Sequence, residues 1–134
     1  MRLVALTLAG IVAMTPVNAI AKSSLWDVPQ VNQGLFNIGI AHGIRKNCDA
    51  ITASKLRGVS YVWTLVGHAK DAGYSMKETR AFIDDDAEKA VLRARVVKYL
   101  KSKGLNPDKS NALCEFGKAE ITKKSQVGVL LRMN

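Results

Sequence analysis

The chain has 134 residues, a formal net charge of +9, 48% hydrophobic residues and two cysteines. That length holds one ordinary small domain with a single core. Two cysteines are too few for a cysteine-built metal centre, and they lack the C-x-x-C spacing of a redox enzyme.

Residues 1–21 read as an export signal. Arg2 gives a basic start, Leu3 to Met14 form an apolar core, and Ala19-Ile20-Ala21 fits the small-residue pattern that signal peptidase accepts. The apolar run, about a dozen residues, is shorter than the ~20 of a membrane span. The expected mature protein is therefore residues 22–134, periplasmic or secreted, with no transmembrane span. No cysteine follows the apolar core at the cleavage site, which argues against a lipid anchor. A basic balance commonly suggests nucleic acid. Export argues against that partner and leaves anionic envelope lipids, acidic polymers or an acidic protein, although a lysine-rich surface also confers solubility by itself.

From Lys22 to Pro29 an extended lead-in is expected, with Trp26 and Val28 available to pack on the domain. Pro29 suits the first turn of a helix that runs to Cys48. Over Val31 to Cys48 this helix carries two apolar stripes, Val31, Leu35, Ile38 and Cys48 on one, Phe36, Ile40 and Ile44 on the other. It should have neighbours on both sides and act as a central strut. Gly39 and Gly43, each about 1 kcal/mol less favourable than alanine in a helix interior, imply close approach of another segment.

Asp49 to Ser54 reads as a break, after which Thr52 or Ser54 can cap a second helix to about Ala72. Leu56, Val59, Val62, Trp63, Val66 and Ala69 share one wide face of it, expected to be core, and Gly73 supplies the stop. Ser75-Met76-Lys77-Glu78 is a capping box for a short third helix to about Ile83. Asp84, Asp85 and Asp86 lack the alternation and glycine of a calcium loop. They fit the start of a fourth helix through Lys103, closed by Gly104, whose later turns hold basic residues that complement its dipole. After the Asn106-Pro107 turn, Ser110 can cap a fifth helix carrying Leu113, Cys114, Phe116 and Ile121. Ser125 can open a final turn or short helix. No stretch alternates long enough to favour a strand, although Val127 to Leu131 comes nearest.

The fold class is thus all-α, one domain of about five helices. Two thiols in an exported domain should form one disulfide, Cys48 to Cys114, closing a loop of about 65 residues for roughly 4 kcal/mol of stabilisation in the chain-entropy model. Catalytic and metal motifs are missing: the chain has no G-x-S-x-G, H-E-x-x-H, P-loop or haem-attachment spacing. His42 falls on the Val31, Leu35, Ile38 face and is expected to be a partly buried core residue. His68 and Asp71, at i and i+3, read first as a solvated pair and only second as an acid–base pair. No catalytic residue, metal ligand or cofactor is expected.

Gly34-Leu35, Ile44-Arg45-Lys46-Asn47-Cys48, Tyr74-Ser75, Asp86-Ala87-Glu88-Lys89-Ala90, Arg93-Ala94-Arg95 and Ser125-Gln126-Val127-Gly128-Val129-Leu130-Leu131 carry a resemblance. The chain resembles a family of small exported alphaproteobacterial proteins classed as a domain of unknown function. The resemblance implies export, a helical domain and the Cys48 to Cys114 link, and it implies no catalytic residue. The expectation is a non-enzymatic domain that binds a protein or an anionic envelope component. The alternatives are a disulfide-bonded stress holdase, by analogy of size and crosslink with the helical acid-stress chaperones, and a small envelope-directed hydrolase using His68, Asp71 or the aspartates.

Overall fold

The computed structural model describes residues 22–108 and 110–134, so the expected export signal at 1–21 lies outside the described residues. A 3-10 turn, Leu25–Asp27, leads into α1, Pro29–Asn47. Then follow a short strand β1, Ile51–Ala53, and the helices α2, Lys55–Asp71, α3, Met76–Asp84, α4, Asp86–Ser102, and α5, Asn111–Lys123. A second 3-10 turn, Gly128–Leu130, runs directly into strand β2, Leu131–Met133.

Local chemistry accounts for most of these boundaries. Pro29 occupies the first turn of α1. The capping box of α3 is complete: Glu78 N–H donates to Ser75 Oγ at 3.1 Å, and Ser75 N–H donates to Glu78 Oε2 at 2.7 Å. Asp85 caps α4 through the N–H of Glu88 at 2.9 Å, and Ser110 caps α5 through that of Leu113 at 3.1 Å. Gly73 and Gly104, with φ of +91° and +72°, end α2 and α4 in the left-handed conformation that a side chain disfavours.

Helix α1 is the central strut, in contact with α2, α4, α5, β1 and both 3-10 turns. Its Ile40, Ala41, Ile44 and the adjoining Cys48 join Ile51, Val96, Leu100, Leu113, Val127, Leu130 and Leu131 in the main core. Its Val31 joins Leu25 and Ala69 in a smaller one. Gly34 lets α2 approach so closely that a methyl group there would overlap both terminal carbons of Leu65. Gly39 does the same for α4, since a Cβ would lie 2.8 Å from Val96 Cγ2. The buried Asn37 links α1 to α2 by donating to the Tyr61 hydroxyl at 3.0 Å, while Gln33 donates to its Oδ1 at 3.1 Å. The disulfide Cys48–Cys114 ties the end of α1 to α5, with Cα atoms 5.3 Å apart.

Three local expectations are corrected. First, residues 49–54 are not simply a break: Ile51, Thr52 and Ala53 pair antiparallel with Met133, Arg132 and Leu131. Pairing with a chain end far along the sequence leaves no local period to read. Second, most of the wide apolar face of α2 is not core, Ala69 being its one buried member. The helix is pinned to α1 by Leu65 and Ala69, and Leu56, Val59, Val62 and Trp63 are 84%, 58%, 40% and 61% exposed. Third, His42 is exposed, because α1 buries Val31, Gly34, Asn37, Ile40, Ala41 and Ile44 and turns His42 out of that face.

Candidate functional site

The outward apolar face of α2 borders a groove of about 600 Å³. Helix α1 contributes Ile38, Ala41, His42 and Arg45 to its wall. The strands contribute Ala53 and Leu131, the second 3-10 turn Leu130, and the start of α2 Ser54, Lys55, Gly58, Val59, Val62 and Trp63. Such a volume lies within the ~300–1,000 Å³ of small-molecule sites. A second hollow of about 340 Å³ adjoins it, formed by Val66 of α2 with Met76, Thr79, Arg80, Ile83 and Asp84 of α3 and sharing Val62 and Trp63 with the first. Met76 and Ile83 are also exposed. The two hollows and the ridge between them make one apolar surface across α2 and α3, in contrast with the scattered single residues of an ordinary surface.

The ionisable side chains in the groove's lining are His42, Arg45 and Lys55, with no carboxylate among them. Arg45 Nη2 lies 3.3 Å from His42 Nδ1. A guanidinium only donates, so this hydrogen bond requires an unprotonated Nδ1 and leaves Nε2 as the ring's donor. The His42 pKa is correspondingly lowered, by partial desolvation against the groove first and then by the charges of Arg45, Lys46 and Arg93. Helix α2 starts beside these residues without a side-chain cap on its first turn: Ser54 stands at the N-cap, but its hydroxyl caps nothing. The helix dipole adds positive potential at that end. The groove is therefore apolar along its walls and cationic at its rim.

The other candidate residues lie outside the groove, with Asp84 in the lining of the second hollow. His68 and Asp71 lie near the end of α2 and line neither hollow. Asp85 is the cap of α4, and Asp86 pairs with Lys89 at 3.5 Å in its first turn. Among the described residues no group of three His, Cys, Asp or Glu side chains could hold a metal ion. No described helix is long and apolar enough to cross a membrane. The groove itself was not visible in the sequence, although its signal was present: the apolar face of α2 is wider than contact with one neighbouring helix requires.

Fold and site together define a small disulfide-closed helical domain with an open, cation-rimmed apolar groove. Residues 23–132 match the family of unknown function DUF5333, and the chain belongs to that family. No curated protein and no solved structure matches it.

Proposed function

We propose that this protein is a non-enzymatic binding domain, exported to the periplasm or beyond, whose α2 and α3 face holds an apolar, anionic component of the cell envelope. The observation that carries the reading is the exposure of Leu56, Val59, Val62, Trp63, Met76 and Ile83 together on the α2 and α3 face, whereas the other exposed large hydrophobic side chains among the described residues, Val91 and Met133, stand singly on α4 and β2. Leaving that much apolar surface in water is unfavourable by ~25 cal/mol per Å², which a bound partner would offset. The cationic rim selects a negatively charged partner. Export is supported by the basic, apolar and small-residue order of 1–21 and by the disulfide, which suits an oxidising compartment.

A photoreactive residue placed at Val59 or Trp63 in cells tests this, with Lys101 on the exposed side of α4 as control. The expected result is a lipid-sized mass increase of the intact protein from the α2 positions and none from position 101. No adduct, a protein-sized adduct only, or equal labelling at all three positions would overturn the reading.

The same exposed face also suits a holdase that shelters unfolded clients. That reading requires suppression of client aggregation, lost in Trp63→Ser, at acid and neutral pH. His68, Asp71, Asp85 and Asp86 line neither hollow, and Asp84 is the single carboxylate lining the second, which leaves an envelope-directed hydrolase without a paired acid and base to support it.

A further inference from the structure

We propose that the groove between α1 and α2 is a site for the chain of one monomeric long-chain carboxylate, whose head is held by Arg45 and Lys55. This rests on the binding reading above and names its ligand class.

The choice of occupant follows from chemistry on the groove's walls. Ile38, Ala41, Ala53, Val59 and Leu131 offer carbon surface, and polar groups are confined to the rim and to Ser54. A peptide laid along such walls would carry backbone N–H and C=O groups away from water with few partners, which is costly. An acyl chain has no such groups and gains affinity from every methylene it buries. A second copy of this chain is disfavoured as occupant by charge. It too would be strongly basic, since removal of residues 1–21 takes away only Arg2 from a chain of net charge +9, and Arg45 and Lys55 would meet like-charged surface. A single carboxylate supplies the opposite charge, and a guanidinium grips it with two parallel donors. The neutral His42 ring can add a donor without adding charge.

Gly58 makes the assignment testable without disturbing the core. It lines the groove from within α2, and a Cβ built there meets nothing within 4 Å. Gly58→Leu therefore fills the groove while improving helix propensity.

The experiment is a titration of the full processed protein with dodecanoate and decanoate below their micelle concentrations and with dodecanol below its solubility limit, followed by calorimetry and by amide and indole NMR shifts. Vesicles of phosphatidylglycerol form a separate arm. The expected result is one dodecanoate per chain, with shifts at Ala41, Ala53, Val59 and Trp63. Decanoate should bind about ten-fold more weakly, since each buried methylene contributes roughly three- to four-fold. Dodecanol should also bind at least about ten-fold more weakly, the scale of one charge-assisted hydrogen bond. Arg45→Ala with Lys55→Ala should reduce dodecanoate to the level of the alcohol and leave the alcohol unchanged, and Gly58→Leu should abolish both. Equal affinity for acid and alcohol, indifference to Gly58→Leu in a folded variant, binding to vesicles alone, or no binding overturns the proposal. Any of these alongside retained lipid crosslinking at Trp63 removes only the ligand class and leaves the binding reading standing. Loss of that crosslinking removes both.

Discussion

The guanidinium of Arg95 lies 5.0 Å from the ring of Trp26 and 5.3 Å from that of Phe36, held by a hydrogen bond that it donates to Asn32 Oδ1 at 2.7 Å. Trp26 Nε1–H in turn donates to Glu88, and its ring meets Phe82 edge-on at 5.2 Å. This cluster fastens the N-terminal lead-in to α1, α3 and α4. Arg95→Ala should lower stability by about 2–5 kcal/mol, the sum of a half-buried cation–π contact and a charge-assisted hydrogen bond. Arg95→Lys should not restore it, because an ammonium cannot stack on both rings as a plane does. Urea unfolding of the three proteins measures the difference.

Glycines should separate into tight and free positions. At Gly128 an added Cβ would overlap the backbone carbonyl of Glu120, which cannot swing aside, and at Gly34 it would overlap the Leu65 side chain, which can partly yield. At Gly67, in the interior of α2, it meets nothing within 4 Å. Alanine should therefore be most damaging at 128, cost about 1–3 kcal/mol at 34 through overpacking, and stabilise by up to about 1 kcal/mol at 67. Thermal midpoints in that order confirm the packing, and a stabilising Gly34→Ala would contradict it.

Reduction should weaken the fold substantially. The Cys48–Cys114 bond spans a sequence separation of 66, and the chain-entropy model gives roughly 4 kcal/mol for closing a loop of that size. Oxidised protein should weigh about two daltons less than the reduced form, and its thiols should resist alkylation until reduced. Replacing both cysteines with alanine should move the urea midpoint far downward with the helical spectrum largely retained under native conditions.

Acid should remove stability in a defined window. The backbone N–H of Ser75 first, then Lys22 Nζ and the Ser75 hydroxyl, hold the Glu78 carboxyl down at about 2, against an ordinary value of 4.5. Burial opposes the charge on Glu120, but the Ser125 hydroxyl and Lys123 outweigh it and lower that pKa too. A depressed folded pKa means that the contribution is complete above about 4.5 and is lost as pH falls through the folded value. The thermal midpoint should therefore decline as pH is taken from above 4.5 toward 2, and Glu78→Gln should flatten part of that decline. Added salt should attenuate the Lys22 share, since that pair is exposed.

Helix boundaries were legible because their causes are local. Pro29, the Ser75 to Glu78 box, Asp85, Ser110, Gly73 and Gly104 act on backbone groups within four residues, so reading them needs no knowledge of the fold. The crosslink was legible too, since two cysteines admit one intramolecular pairing. The strands β1 and β2 were not. Three residues each are too few to show a period of two, and each strand pairs with residues far away along the sequence.

The face of α2 marks the division most plainly. By itself the sequence determined that α2 is a helix with Leu56, Val59, Val62 and Trp63 on one side, because periodicity records which residues share a face. Only the tertiary structure decided that this side meets solvent: Gly34 draws α1 against Leu65, Ala69 packs into the smaller core, and the apolar side is left along a groove. The same docking turned His42 out of the buried face of α1 and placed it beside Arg45 at the groove's rim. Amphipathic spacing specifies a surface that needs covering, and long-range packing specifies whether the chain covers it or leaves it for another molecule.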